Sequence, residues 1–162
     1  LVLAYSTEAM LAMDDIDQSP FNIGEELILP PFNSEEIESL TRRHRLNLAE
    51  NKLRTLESLT GGHPYLTRKA LYLLAKKDFS FYEFVEKSFL VNGPFNDHLV
   101  YNRWKLSRHK EMYDAMKNVI RKKPIPEEAA YYLSAAGLIK SKNGNYVVSN
   151  EIYRRYIETF MA

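Results

Sequence analysis

Cysteine is absent from all 162 residues, so neither a disulfide nor a thiolate metal site can form. A chain of this length without cysteine reads as one built for a reducing, intracellular setting. Long apolar runs are missing too: none approaches the roughly 20 residues that a membrane-spanning helix needs. The opening Leu1–Tyr5 is short, lacks a basic lead and soon meets Glu8 and Asp14, which excludes a signal-peptide pattern. Glycine is scarce, at positions 24, 61, 62, 93, 137 and 144, and none of these is immediately followed by Lys-Ser or Lys-Thr. A phosphate-binding loop is therefore not encoded, because it needs glycine backbone N–H groups and an ammonium around the phosphates. The four histidines (44, 63, 98 and 109) show neither HxxxH nor HExxH spacing, which removes the common zinc patterns. His44 and His98 are expected at helix surfaces or in a satisfied core. Asp14, Asp15 and Asp17 form an acidic cluster without the glycine and distal glutamate of a calcium loop, and read as a solvated turn. No local motif suggests a Ser-His-Asp set. The chain alone is not expected to be an enzyme.

What is present is a hydrophobic, aromatic-rich composition. At 45% hydrophobic and 12% aromatic residues the chain can bury a core, and disorder is excluded. Net charge is +1, unevenly spread: residues 108–162 hold 10 Lys/Arg against 6 Asp/Glu, whereas residues 1–107 hold 12 against 15. That mild asymmetry permits weak nucleic-acid contact in the C-terminal part and requires none.

"LVLAY" (Leu1–Tyr5) reads as a fully buried strand of the parallel α/β type. Such a strand needs neighbours that this sequence does not contain. With the missing initiator methionine, it points to a piece of a longer protein. "EELILP" (Glu25–Pro30) suggests a second short strand. From there the pattern is helical. Asn33 with Glu36 forms a capping box ahead of Ile37, Leu40 and His44. Leu53, Leu56 and Leu59 mark the next helix, and Leu66, Ala70 and Leu73 the one after it. Ser80 with Glu83 is a second capping box, and Phe79 with Phe84 fits a hydrophobic staple. A further helix runs from about Asn96 through Trp104, after the Gly93-Pro94 break.

The last third reads as helix (Met112, Met116, Val119), helix from Pro126 to Gly137, hairpin through Asn143-Gly144, and helix (Ile152, Tyr156, Phe160). Helix–helix–hairpin–helix is the order of a winged helix. The predicted class is mainly α: a helical bundle followed by a winged-helix domain, with a leftover α/β strand segment at the N-terminus.

Between the second and third helices stands Gly61-Gly62-His63-Pro64. A left-handed glycine can end one helix, His63 before proline is pushed toward an extended geometry, and Pro64 can open the next helix. A tight corner accounts for every residue. It also offers the free N–H groups and positive end of a helix start to a ligand.

Taken together, "LVLAYSTEAMLAMDD", "SPFNIGEELILPPFNSEEIESL", "LTGGHPYLTRKALYLL" and "YYLSAAGLIKSKNGNYVVSNEIYRRYI" resemble the C-terminal part of a STAND-type AAA-like ATPase module, over most of the chain. The resemblance implies residues 1–31 as the end of the α/β nucleotide-binding domain, 32–107 as a helical lid and 108–162 as the winged helix. In this family ATP or ADP is gripped between those three parts, and the protein acts as a nucleotide-controlled switch in signalling or defence. Leu1–Tyr5 would lead to the sensor position, with Ser6 and Thr7 near the γ-phosphate. The lid's Gly-x-Pro motif falls on Gly62-His63-Pro64, with Pro64 against the adenine. The winged-helix His-Asp pair that senses the ADP β-phosphate falls on Ser149-Asn150, a departure from histidine, and Asn150 is equally a natural N-cap. Walker A and Walker B are absent and would lie upstream of Leu1. The implied cofactor of the complete protein is ATP or ADP, with none expected for the isolated chain. The implied partners are the upstream P-loop domain and a protein effector or a second copy, in the cytoplasm and without membrane contact.

The alternative is a winged-helix DNA-binding transcriptional regulator. Its recognition helix needs Arg, Lys, Asn or Gln at base edges. "PEEAAYYLSAAG" carries Glu127 and Glu128 and no basic residue, so specific duplex binding is not expected. Arg121, Lys122, Lys123, Lys140 and Lys142 nearby, and "TRRHR" (Thr41–Arg45), read as solvated charge.

Overall fold

The computed structural model describes residues 29–161. The strand expected at Leu1–Tyr5, the acidic turn at Asp14–Asp17, and Ser6 and Thr7 lie outside the described residues. So does most of the expected strand Glu25–Pro30; its described end, Leu29 and Pro30, is irregular. The described part is mainly helical, with eight helices and one two-stranded sheet. Its residues fall into two compact units, one of residues 30–100 with 150–161, the other containing residues 101–149.

In the first unit α1 (Ser34–Arg43) opens on the expected capping box. The Asn33 side chain accepts from the Glu36 N–H, and the Glu36 carboxylate accepts from the Asn33 N–H, each at 2.9 Å. α2 (Glu50–Thr60) buries Leu56 and Leu59, while Leu53 is half-buried. α3 (Pro64–Lys76) buries Leu66, Ala70, Leu71 and Leu74. Leu73 is only half-buried, so the apolar stripe drifts one position from the expected one. Leu66, Thr67, Ala70, Leu71 and Leu74 share one face at 100° per residue, and Leu73 lies at its margin, so the direction from which neighbours cover the helix, not its pitch, sets the difference.

α4 (Phe81–Lys87) starts at the second capping box, Ser80 with Glu83, and the Phe79 and Phe84 rings meet edge-on at 6.4 Å as the staple requires. α5 (Asn96–Ser107) begins in this unit. The last helix, α8 (Glu151–Phe160), packs against α2 within it and buries Ile152, Tyr153, Tyr156 and Ile157.

The second unit holds the end of α5, then α6 (Lys110–Ile120), α7 (Glu127–Ala135) and a hairpin, β1 (Ile139–Lys142) with β2 (Asn145–Val148). The strands are antiparallel, with Ile139 opposite Val148 and Lys142 opposite Asn145. Asn143 and Gly144 both have positive φ, +52° and +76°, as the type I′ turn demands. α6 and α7 pack together over Met116, Val119, Ala130 and Leu133. The helix–helix–strand–strand–helix order expected over residues 108–162 is observed. Its first four elements belong to this unit and α8 to the other.

Candidate functional site

The corner between α2 and α3 is built by its residue types. Gly61 caps α2 in the left-handed conformation (φ +60°), and its N–H donates to the Glu57 carbonyl at 2.7 Å. Gly62 follows with φ +72°. His63 takes an extended ψ of 121°, and Pro64 occupies the first turn of α3, where a missing N–H costs nothing.

Two bonds then tie the corner down. The Thr67 hydroxyl donates to the Thr60 hydroxyl at 3.0 Å, with both residues fully buried, so the end of α2 is joined to the start of α3. The Phe32 N–H donates to the Gly62 carbonyl at 2.8 Å, drawing the lead-in to α1 against the same glycine. A Cβ at position 62 would overlap the Phe32 carbonyl oxygen, so only glycine fits.

His63 does not stand alone. Its ring meets His98 of α5 edge-on at 6.0 Å and Tyr153 of α8 edge-on at 6.1 Å. His98 stacks on Tyr153 at 5.7 Å, and its Nε2 is 2.7 Å from the Tyr153 hydroxyl. Tyr65, on the first turn of α3, lies 4.9 Å from His98 and is partly exposed. The first unit thus gathers two imidazoles and two phenols from α3, α5, α8 and the corner between α2 and α3. Burial is the main influence on His63 and lowers its pKa from the ordinary 6.5, partly opposed by a backbone hydrogen bond. At neutral pH the imidazole is therefore uncharged.

This depression has a measurable consequence. The unfolded chain binds the His63 proton more tightly than the folded one, so the stability tied to neutral His63 is complete above about pH 6.5 and is lost as pH falls through the lower, folded value. Denaturant titrations between about pH 7 and pH 5 are expected to show wild-type stability falling toward acid, and a shallower fall in His63→Gln. Identical profiles would remove His63 as the titrating group.

Asn150, the third expected contact, caps α8: its Oδ1 accepts the Tyr153 N–H at 2.9 Å. The residue is buried and its Nδ2 has no hydrogen-bond partner among the described residues. In the second unit the Ser149 hydroxyl donates to the Gly137 carbonyl and its N–H to the Leu138 carbonyl at 3.0 Å, which closes the loop after β2. Of the expected site residues, Gly62, His63 and Pro64 form one corner. Asn150 sits one helical turn before Tyr153, which touches that corner through His63.

Sequence reasoning missed His98, Tyr65 and Tyr153. His98 is half-buried in a satisfied contact, as the general expectation for it ran, but its partner lies 55 residues away. Only Tyr153 carried a local signal, since positions 152, 153, 156 and 157 share one helical face. Among the described residues no group of three or more His, Asp or Glu could hold a metal ion, and no helix is long and apolar enough to cross a membrane.

A family model described as an AAA-like domain matches residues 1–159. No curated protein and no solved structure matches the chain at a significant level.

Proposed function

Because the chain belongs to the AAA-like domain family, whose fold is related to that of P-loop ATPases, we propose that it is the lid and winged-helix part of a STAND-type, nucleotide-controlled signalling switch. The phosphate loop lies outside these residues in this reading, and the chain alone carries no catalysis. The upstream nucleotide domain is its first partner, a protein effector or second copy its output, and the cytoplasm its setting.

The observation that carries the reading is the Gly62-His63-Pro64 corner. A turn needs only its glycines and proline. This one also presents an exposed Pro64 beside a neutral His63 and a partly exposed Tyr65. Uncharged rings and an exposed pyrrolidine suit the flat apolar face of an adenine better than a phosphate. His63 also meets Tyr153 of α8, so a nucleotide seated at the corner would bear on the last helix. Asn150 serves α8 as its cap, and a phosphate-sensing role for it rests on family resemblance alone. The DNA-binding alternative ranks lower because the exposed side of α7 carries Glu127, Glu128 and Tyr131.

Pro64→Ala separates a clasp from a turn. The first helical position tolerates alanine, so the melting free energy of the chain should fall by only about 0.4–1 kcal/mol. In the full-length parent the nucleotide off-rate should rise several-fold as the ring's apolar contact is lost. An unchanged off-rate with the stability effect intact would reduce the corner to a turn.

A further inference from the structure

Beyond Tyr65, which it shares with the corner, the outer face of α3 has a character that the nucleotide reading does not use. Between Glu57 and Asp78 the sequence has no acidic residue, yet it carries Arg68, Lys69, Lys76 and Lys77. Tyr65, Arg68, Tyr72 and Lys76 are exposed and Lys69 is half-buried. Positions 65, 68, 69, 72 and 76 recur every three to four residues and so share one side of the helix.

Along it the charges alternate with rings. Lys69 Nζ lies 5.6 Å from the Tyr65 ring and donates to its hydroxyl at 3.2 Å, and Lys76 Nζ lies 5.4 Å from the Tyr72 ring. Tyr72 is 52% exposed. Among the described residues the carboxylate paired with this stripe is Asp78, 3.7 Å from Lys76 Nζ, and none pairs with Arg68.

We propose that this face of α3 binds single-stranded nucleic acid without sequence preference. The cations from Arg68 to Lys76 run along about 12 Å of helix and match a phosphate backbone, whose binding they favour by releasing counterions. The exposed tyrosine rings offer stacking surface to bases, which only an unpaired strand can present. An acidic protein partner fits less well: three of the four cations are lysine, a residue depleted at protein interfaces. Duplex reading through α7 is not involved, because its carboxylates repel the backbone. The proposal does not depend on the corner's role, since Arg68, Tyr72 and Lys76 lie outside the ring cluster around His63.

The test is fluorescence anisotropy of the chain with a labelled oligothymidylate of about 20 nucleotides, longer than a single site. Three or four neutralised phosphates should give a log–log salt slope of about −2 to −3. Arg68→Glu/Lys76→Glu should weaken binding about tenfold or more and flatten that slope. The neutral pair Arg68→Gln/Lys76→Gln should do so by less, and serves if charge reversal unfolds the helix. Tyr72→Ala should weaken binding to the single strand several-fold while leaving binding to a duplex of the same length unchanged. Any of three results would overturn the proposal: no binding at low salt, full affinity in the charge-reversed variant, or displacement by polyglutamate at equal charge.

Discussion

Gly62→Ala is expected to cost the folded chain about 2–4 kcal/mol, the sum of left-handed strain on a side-chain-bearing residue and the loss of one buried backbone contact. The position has φ +72°, and the new Cβ would overlap the Phe32 carbonyl oxygen. Phe32 must move, and with it the hydrogen bond from its N–H to the Gly62 carbonyl. Neither backbone segment can swing aside as a flexible side chain would. Gly144→Ala is the matched control. It has φ +76° with nothing within 4 Å of the added Cβ, so strain alone acts, about 1 kcal/mol. Urea unfolding of both variants should separate them by at least 1 kcal/mol. Equal losses would mean that the corner relaxes freely and that the Phe32 contact contributes nothing.

Phe84→Ala is expected to cost about 3–5 kcal/mol, far more than loss of the exposed neighbouring ring of Tyr82. Phe84 is fully buried, edge-on to Phe79 at 6.4 Å and to Phe95 at 5.8 Å. α4 has seven residues, too short to persist without tertiary support. The capping box at Ser80 orients the helix, but burial of this ring holds it in place. Removing the ring leaves a cavity and unmakes two ring pairs, each worth about 0.5–1.5 kcal/mol beyond area. Tyr82→Ala, at a ring 71% exposed, should change stability by only about 0.5 kcal/mol. A Phe84→Ala loss below about 1 kcal/mol would show that α4 is not held through this ring.

Much of the fold was legible because its signals are local. Asn33 and Glu36, or Ser80 and Glu83, stand three residues apart, and a capping box involves nothing beyond those four positions. Asn143-Gly144 sets its own turn through two positive φ angles. The corner residues Gly61, Gly62 and Pro64 likewise reveal a helix end and a helix start from backbone preference alone. The buried stripe of α3 includes Leu74 and leaves Leu73 at its margin, because periodicity fixes the pitch of a helix but not the direction from which neighbours cover it.

The candidate site divides along the same line. By itself, the sequence determined that two helices meet at a glycine–proline corner, that Asn150 is suited to cap the last helix, and that no phosphate loop or metal pattern is encoded. Composition and local dihedral preference suffice for those statements. Only the tertiary structure decided that His63 meets His98 and Tyr153, residues 35 and 90 positions away, and that the Phe32 backbone closes on Gly62. Pairings at such separations depend on how α2, α3, α5 and α8 stack, and that stacking is settled by burying many side chains at once. No single residue announces it, so the neutral, ring-lined corner became visible only once the helices were packed.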